Sequence, residues 1–173
     1  AYQNQNFIKR FNAEGYLIEE FNFHGSYADR HYLNDKRQSE KMIHYNAKNE
    51  IVRIHTYIYD GNGNITESIC KDADGTLSWI VESKYTDDKR KISDIHYMGE
   101  ERRVLNSKLY TYDEGKRLLS TIEYDGNGNQ KSSYEYKYNE KGLRTEYKIT
   151  HEDESLKRLN SRQTSRYNEH GDC

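Results

Sequence analysis

The stretch Tyr124-Asp125-Gly126-Asn127-Gly128-Asn129-Gln130-Lys131-Ser132-Ser133-Tyr134-Glu135-Tyr136-Lys137-Tyr138-Asn139-Glu140-Lys141-Gly142 decides the fold. It opens and closes on one phrase: an aromatic residue, Asp or Asn, two further residues, then Gly. Between the two phrases the residues alternate. Gln130, Ser132, Tyr134, Tyr136 and Tyr138 fall on one face and Lys131, Ser133, Glu135 and Lys137 on the other, the period of a strand with one covered side. The phrase itself is turn chemistry. Asp or Asn bonds its own backbone, and the Gly three positions later accepts the left-handed conformation that closes a hairpin.

Outward from this stretch the phrase returns at Phe11-Asn12…Gly15, Phe21-Asn22…Gly25, Tyr59-Asp60…Gly63 and Tyr167-Asn168…Gly171. With degenerate positions included, the starts are Tyr45, Tyr59, Lys71, Tyr85, Tyr97, Tyr112, Tyr124, Tyr138, Thr150 and Tyr167, with gaps of 14, 12, 14, 12, 15, 12, 14, 12 and 17. The alternating gaps define a double unit of about 26 residues, one hairpin per repeat, clearest from 45 to 150. The mostly even gaps predict that the aromatic side is kept from strand to strand. Gly15, Gly63, Gly75, Gly128 and Gly142 are read as structural turn residues, Gly25 and Gly171 fill the same slot, and Asn49 substitutes for Gly. Gly99 falls outside the slot, so its replacement is expected to cost less. The segment 27–41 shows the weakest regularity and is expected to hold an irregular loop or bulge.

The expected fold is all-β: an antiparallel meander of hairpin repeats forming one extended, twisted or superhelical sheet, a single repeat domain over 1–173. Composition agrees. Only 33% of the residues are hydrophobic, 32% are charged, 17 are Tyr and none is Pro. Tyr therefore supplies the buried area, its ring covered and its hydroxyl wet, and the lack of Pro suits long ladders.

Tyr59-Asp60-Gly61-Asn62-Gly63-Asn64-Ile65 and, with Asn for Asp, the Tyr138 unit resemble the YD repeats, related to the RHS repeats of bacterial surface and toxin-carrying proteins. The similarity runs from Phe11 onward. It implies an extracellular or cell-envelope protein whose strands wind into a sheet or shell that holds or displays something, with carbohydrate as a proposed ligand. The chain departs from long RHS shells in its short units, in lacking Arg after Gly63, Gly75 and Gly128, and in having no Pro-containing closing signature.

Chemistry is harder to find. Asp60 to Asn64 and Asp125 to Asn129 look like the start of a calcium loop, but position 6 is Ile65 or Gln130 and position 12 is Lys71 or Tyr136, so the turn reading prevails. His44, Cys70 and His96 hold equivalent repeat positions. Such positions lie two strands apart, about 10 Å, too far to share a metal, so no metal or other cofactor is expected. Nucleophile elbows, phosphate loops and zinc-protease motifs are missing, and the expectation is no enzyme. Arg144, Tyr147, Arg158, Arg162 and Arg166 form a basic cluster, but Glu146, Glu152, Asp153 and Glu154 cancel it, and net charge is −2, which argues against nucleic acid. No apolar run reaches the roughly 20 residues of a membrane helix.

The reading is a non-enzymatic secreted or surface repeat protein that binds a glycan or protein through a Tyr-rich face, with Trp79, Tyr110, Tyr134 and Tyr136 as candidate contacts. The alternative is a scaffold or shell segment of a larger RHS/YD-type toxin or surface assembly. Self-association through an uncovered edge strand around Leu159 to Tyr167 is a further expectation.

Overall fold

The computed structural model describes residues 7–22 and 27–165. Turn signals completed by Gly25 and Gly171, together with His24, Arg166, Tyr167, His170 and Cys173, lie outside them. Strand order is chain order through a 13-stranded antiparallel meander, as the alternation predicts. The strands are β1 (Phe7–Phe11), β2 (Leu17–Asn22), β3 (Tyr27–Leu33), β4 (Ser39–Tyr45), β5 (Ile51–Tyr59), β6 (Ile65–Asp72), β7 (Leu77–Tyr85), β8 (Lys91–Met98), β9 (Arg103–Tyr112), β10 (Leu118–Asp125), β11 (Gln130–Tyr138), β12 (Arg144–His151) and β13 (Ser161–Thr164). Among the described residues the sole helical element is a 3₁₀ turn at Lys157–Leu159.

Two compact units divide the chain: Ala1–Glu82 with Met98–Arg102, and Ser83–Tyr97 with Arg103–Cys173. In the first, Ala28, Ile43 and Tyr45 are buried against Phe21 and Ile54, and the Arg30 guanidinium lies over the Tyr45 ring at 4.8 Å. In the second, the buried residues among those described are polar: Ser83, Ser93, Asp94, Ser132 and Ser133. Aliphatic side chains stay open in both, with Ile58 at 49% and Leu109 at 43% exposure. Among the described residues neither unit shows the continuous apolar core of a two-layer domain.

Hairpins instead carry the order. Asp60 shows the rule: its N–H donates to Asn64 O at 3.0 Å, and its C=O accepts from Gly63 N–H at 3.1 Å. Its Oδ1 accepts from the N–H groups of Asn62 and Asn64, both at 2.9 Å, and Oδ2 from Asn64 Nδ2 at 2.8 Å. The Asn64 side chain first, then the loop N–H groups, hold the Asp60 carboxyl below the usual carboxylate range. Both carboxylate oxygens of Asp60, the first residue of the calcium-like set, are engaged by their own loop. The same backbone pair closes the turns that start at Asn12, Asn34, Asn46, Asp72, Thr86, Asp113, Asp125 and Asn139. At the fourth position Gly63 has φ 84°, and Gly15, Gly75, Gly128 and Gly142 are likewise left-handed.

Two expectations change and one is met in part. Residues 27–41 form a hairpin, β3 paired with β4, with a bulge where Tyr32 pairs with Lys41 but Leu33 with Ser39; Arg37 takes the left-handed position at φ 63°, so the turn carries no Gly to mark it. Gly99 is left-handed too, at φ 69°, followed by Arg102 at φ 50°, and Arg102 N–H donates to Gly99 O at 3.0 Å. The turn after β8 therefore starts at Gly99, later than the spacing suggested. Nothing lies within 4 Å of a Cβ built on Gly99 or Gly128, so only backbone strain separates either from Val. Gly99→Val and Gly128→Val should each cost about 1 kcal/mol or more, and urea midpoints will check that the two match. Conversely, Lys89 sits at φ 69°, and Lys89→Gly should raise stability by about 0.5–1 kcal/mol through relief of left-handed strain, net of the entropy Gly adds to the unfolded chain.

The aromatic side also alternates rather than persisting. Ile43 and Tyr45 share a face of β4, and Ile43 pairs with Ile54. Ile54 and Tyr59 are an odd number of residues apart on β5, so Tyr59 faces the other way. Most of the hairpins carry a bulge, here where Ile58 pairs with Glu67 but Tyr59 with Ile65, and the one extra residue flips the side that even spacing would preserve. Tyrosines at the two ends of the strands thus have different work. At one end the hydroxyl reaches back to the residue that leaves the preceding turn on that side: Tyr59 to Ser39 O at 2.8 Å, Tyr112 to Lys91 O at 2.9 Å, Tyr138 to Leu118 O at 3.0 Å. Arg90 and Arg117, from those preceding turns, lie over Tyr112 and Tyr138 at 4.9 and 5.1 Å. This staple spans two strands and accounts for a double rather than a single repeat unit.

Candidate functional site

The second unit gathers the tyrosines. Tyr110 on β9 pairs with Thr121 on β10, and Thr121 pairs with Tyr134 on β11. Tyr136 pairs with Tyr147 on β12. Partners in a ladder share a face and so do alternate residues of a strand, so Tyr110, Tyr112, Tyr134, Tyr136, Tyr138 and Tyr147 lie on one side. Tyr147 is the centre. Its ring stacks on Tyr136 at 5.2 Å and on Tyr134 at 6.5 Å, with the Arg144 guanidinium over it at 5.4 Å. Burial, then the neighbouring tyrosine Tyr147, pushes the Tyr136 hydroxyl up. A phenol can both donate and accept a hydrogen bond.

Tyr110 has a more specific setting. Its hydroxyl donates to Asp94 Oδ2 at 2.9 Å, while Asp94 Oδ1 accepts from Ser83 Oγ at 2.5 Å and pairs with Lys91 Nζ at 2.9 Å. Asp94 is 6% exposed. Burial would raise its pKa, but the bonds from Lys91, Ser83 and Tyr110 together outweigh that, so the carboxyl stays below its ordinary range. Tyr110 is pushed up, by burial first and the Asp94 bond second. With all its close donors engaged, Asp94 reads as a fixed anchor under the tyrosine face.

Of the residues singled out from sequence, Tyr134 and Tyr136 come together, and Tyr110 shares their face. Trp79 belongs to the first unit, where its ring lies 5.6 Å from that of His55. His44 Nδ1 is 2.6 Å from Asp29 Oδ1, Cys70 Sγ is 3.8 Å from His55 Nε2, and His96 lines a cleft of about 270 Å³ with Asn106, Lys108 and Glu123. Among the described residues no group of three or more His, Cys, Asp and Glu converges on a point that could hold a metal. In the basic cluster, Arg162 donates to Glu146 Oε2 at 2.6 Å. Tyr147 appeared in sequence only within that cluster; its position one turn beyond Tyr138, on the paired strand, is the signal that would have placed it beside Tyr136. No helix among the described residues is long and apolar enough to cross a membrane.

No family model matches the chain, and no curated protein matches it in sequence. Solved structures do. A TcdB2-TccC3-Cdc42 structure superposes with a TM-score of 0.55 at 14% identity over 94% of this chain and 10% of that one. TcdB2-TccC3 without its hypervariable C-terminal region gives 0.54 at 13% identity, over 95% and 10%. A porin-like protein from Bacteroides uniformis gives 0.56 at 10% identity, over 90% and 85%. At these identities the likeness is one of fold alone, and the chain spans about a tenth of the TcdB2-TccC3 chains.

Proposed function

We propose that the chain is a non-enzymatic structural scaffold, a wall segment of a larger secreted or cell-envelope assembly of the YD/RHS type. One observation carries the reading: 94% of this chain follows the fold of 10% of a TcdB2-TccC3 chain, as a piece of wall follows a wall. The lack of a two-layer apolar core in either unit supports it, because a repeat array draws stability from neighbouring repeats rather than from a central core. Its tyrosine staples join one turn to the next on the same side, so a further hairpin at either edge would add the same contacts.

Covalent duplication tests this. Two copies joined head to tail, with the second copy following Cys173, should melt at a higher temperature than one copy, as added nearest-neighbour interfaces require. An unchanged melting temperature would mean that the edges do not continue, and the scaffold reading would fall. A second reading rests on the stacked Tyr134, Tyr147 and Tyr136 with Arg144, a flat aromatic strip suited to a glycan or a protein loop. A glycan array on the purified chain, repeated with Tyr147→Ala, examines it: a signal lost in the variant supports binding, and no signal on any glycan removes the glycan branch.

A further inference from the structure

His55 occupies an unusual place on the first unit. It pairs with Met42 on β4 and with Cys70 on β6, and Cys70 in turn pairs with Trp79 on β7. Met42, His55, Cys70 and Trp79 therefore run in one row across the strands, on one face. Cys70 is wholly buried at 0% exposure, and its Sγ lies 3.8 Å from His55 Nε2. The Trp79 ring tilts against the imidazole at 5.6 Å. Burial pushes the Cys70 thiol up, so the sulfur carries its proton and can donate it to Nε2 of a neutral imidazole. A neutral imidazole protonated on Nδ1 satisfies the row.

We propose that this row is an acid-sensitive latch: neutral His55 holds β4 to β7 of the first unit packed, and a proton on His55 loosens them. The charged and titratable groups around it explain why. On its own strand Arg53 shares the face two residues away, and on β4 His44 pairs with Arg53. The nearby carboxylates are engaged elsewhere: Asp29 on β3 with His44 at 2.6 Å, Asp72 on β6 with Arg53 at 3.8 Å. From β7 the row receives Trp79, which brings no charge. Protonated His55 would point a second donor at the thiol and set a cation beside Arg53 with no carboxylate of its own. Burial first, then Arg53, accordingly lowers its affinity for a proton.

The sign follows from linkage. A histidine whose folded pKa is lowered contributes stability that is present above its unfolded value of about 6.5 and is lost as pH falls from there through the folded value. The inference does not depend on the scaffold reading.

Trp79, the one tryptophan of the chain, reports on the latch, because a charged imidazole in contact quenches indole emission more than a neutral one. Emission is recorded from pH 8 downward for the full chain, for His55→Gln and for His44→Gln. Expected is a one-proton fall in emission with a midpoint below 6.5, retained in His44→Gln and abolished in His55→Gln. A fall that persists unchanged in His55→Gln overturns the proposal, as does flat emission in the wild type across the histidine range. Should His55→Gln not fold, the wild type decides: the ring-proton shift of His55 and the amide exchange of β4 to β6 are followed together, and a midpoint at or above the ordinary histidine value, or exchange that does not quicken as His55 takes its proton, overturns the latch, whereas a midpoint below it with quickened exchange upholds it.

Discussion

Gly126→Ala should destabilise the protein by about 2–3 kcal/mol, whereas Gly61→Ala, at the same position of the same Asp-Gly-Asn-Gly-Asn phrase, should be neutral or stabilising by about 0.5 kcal/mol. Neither glycine is left-handed, since the positive φ in each loop belongs to Gly63 or Gly128. The difference is what a methyl group would meet. Around Gly61 nothing lies within 4 Å; at Gly126 an added Cβ would stand 2.3 Å from Val104 O and 3.3 Å from Leu105 O. Those are main-chain atoms of β9, fixed in the ladder that pairs it with β10, so the neighbour cannot swing aside as a side chain would. Relief requires the turn or the start of β9 to move, and that strains hydrogen bonds rather than rotamers. Urea midpoints of the two variants check it, and equal midpoints would contradict the close approach.

The second large effect is expected at Asp94. Asp94→Ala removes the acceptor for Ser83, Tyr110 and Lys91 together and leaves the Ser83 hydroxyl and the Tyr110 phenol covered without a partner. Breaking a buried pair costs about 3–5 kcal/mol. The Lys91 side chain is 36% exposed, so water recovers part of that, and about 2–3 kcal/mol is expected. Tyr110→Phe, which removes one bond, should cost about 1 kcal/mol. The pH dependence follows from the lowered pKa of Asp94: its contribution is present above the unfolded carboxyl value of about 3.9 and is lost as pH falls through the folded one. The gap between wild type and Asp94→Ala, read from denaturant melts, should therefore be full at pH 7 and shrink in acid. Tyr110, whose pKa is raised, acts at the other end, with its contribution complete below about 10 and lost as pH rises from there through the folded value.

How much of this could be read from the chain alone depended on where the physics is local. Turn chemistry is local: Asp60 needs only its next few residues to bond itself into a loop, and the Asp-to-Gly phrase therefore announced the hairpins. Where a lysine or arginine takes the left-handed position, as Arg37 and Lys89 do, the same geometry is invisible, because nothing in those side chains marks the conformation. Bulges are subtler still. The one extra residue in the β4–β5 hairpin turns the tyrosine side over, so Tyr45 enters the apolar cluster of the first unit while Tyr59 staples a turn. Asp94 gave no sequence signal, because its partners Ser83 and Tyr110 lie on the strands before and after its own, and no local pattern connects them. Tyr147 was hidden for a similar reason, its two stacking partners lying across a turn.

Native-state hydrogen exchange tests most directly the central claim, that the protein is an array of hairpins held by their neighbours and not a domain around one core. Within each unit, strands bonded on both sides should exchange slowest: β4 and β5 in the first, β10 and β11 in the second. The amides of β1 and β13, which have a partner strand on one side, should exchange far faster, with protection rising strand by strand away from them, as a nearest-neighbour array requires. Amides of β1 and β13 that pair with β2 and β12 yet exchange as slowly as those of β5 and β10 would contradict it, for only a single cooperative core could protect an edge as well as a centre.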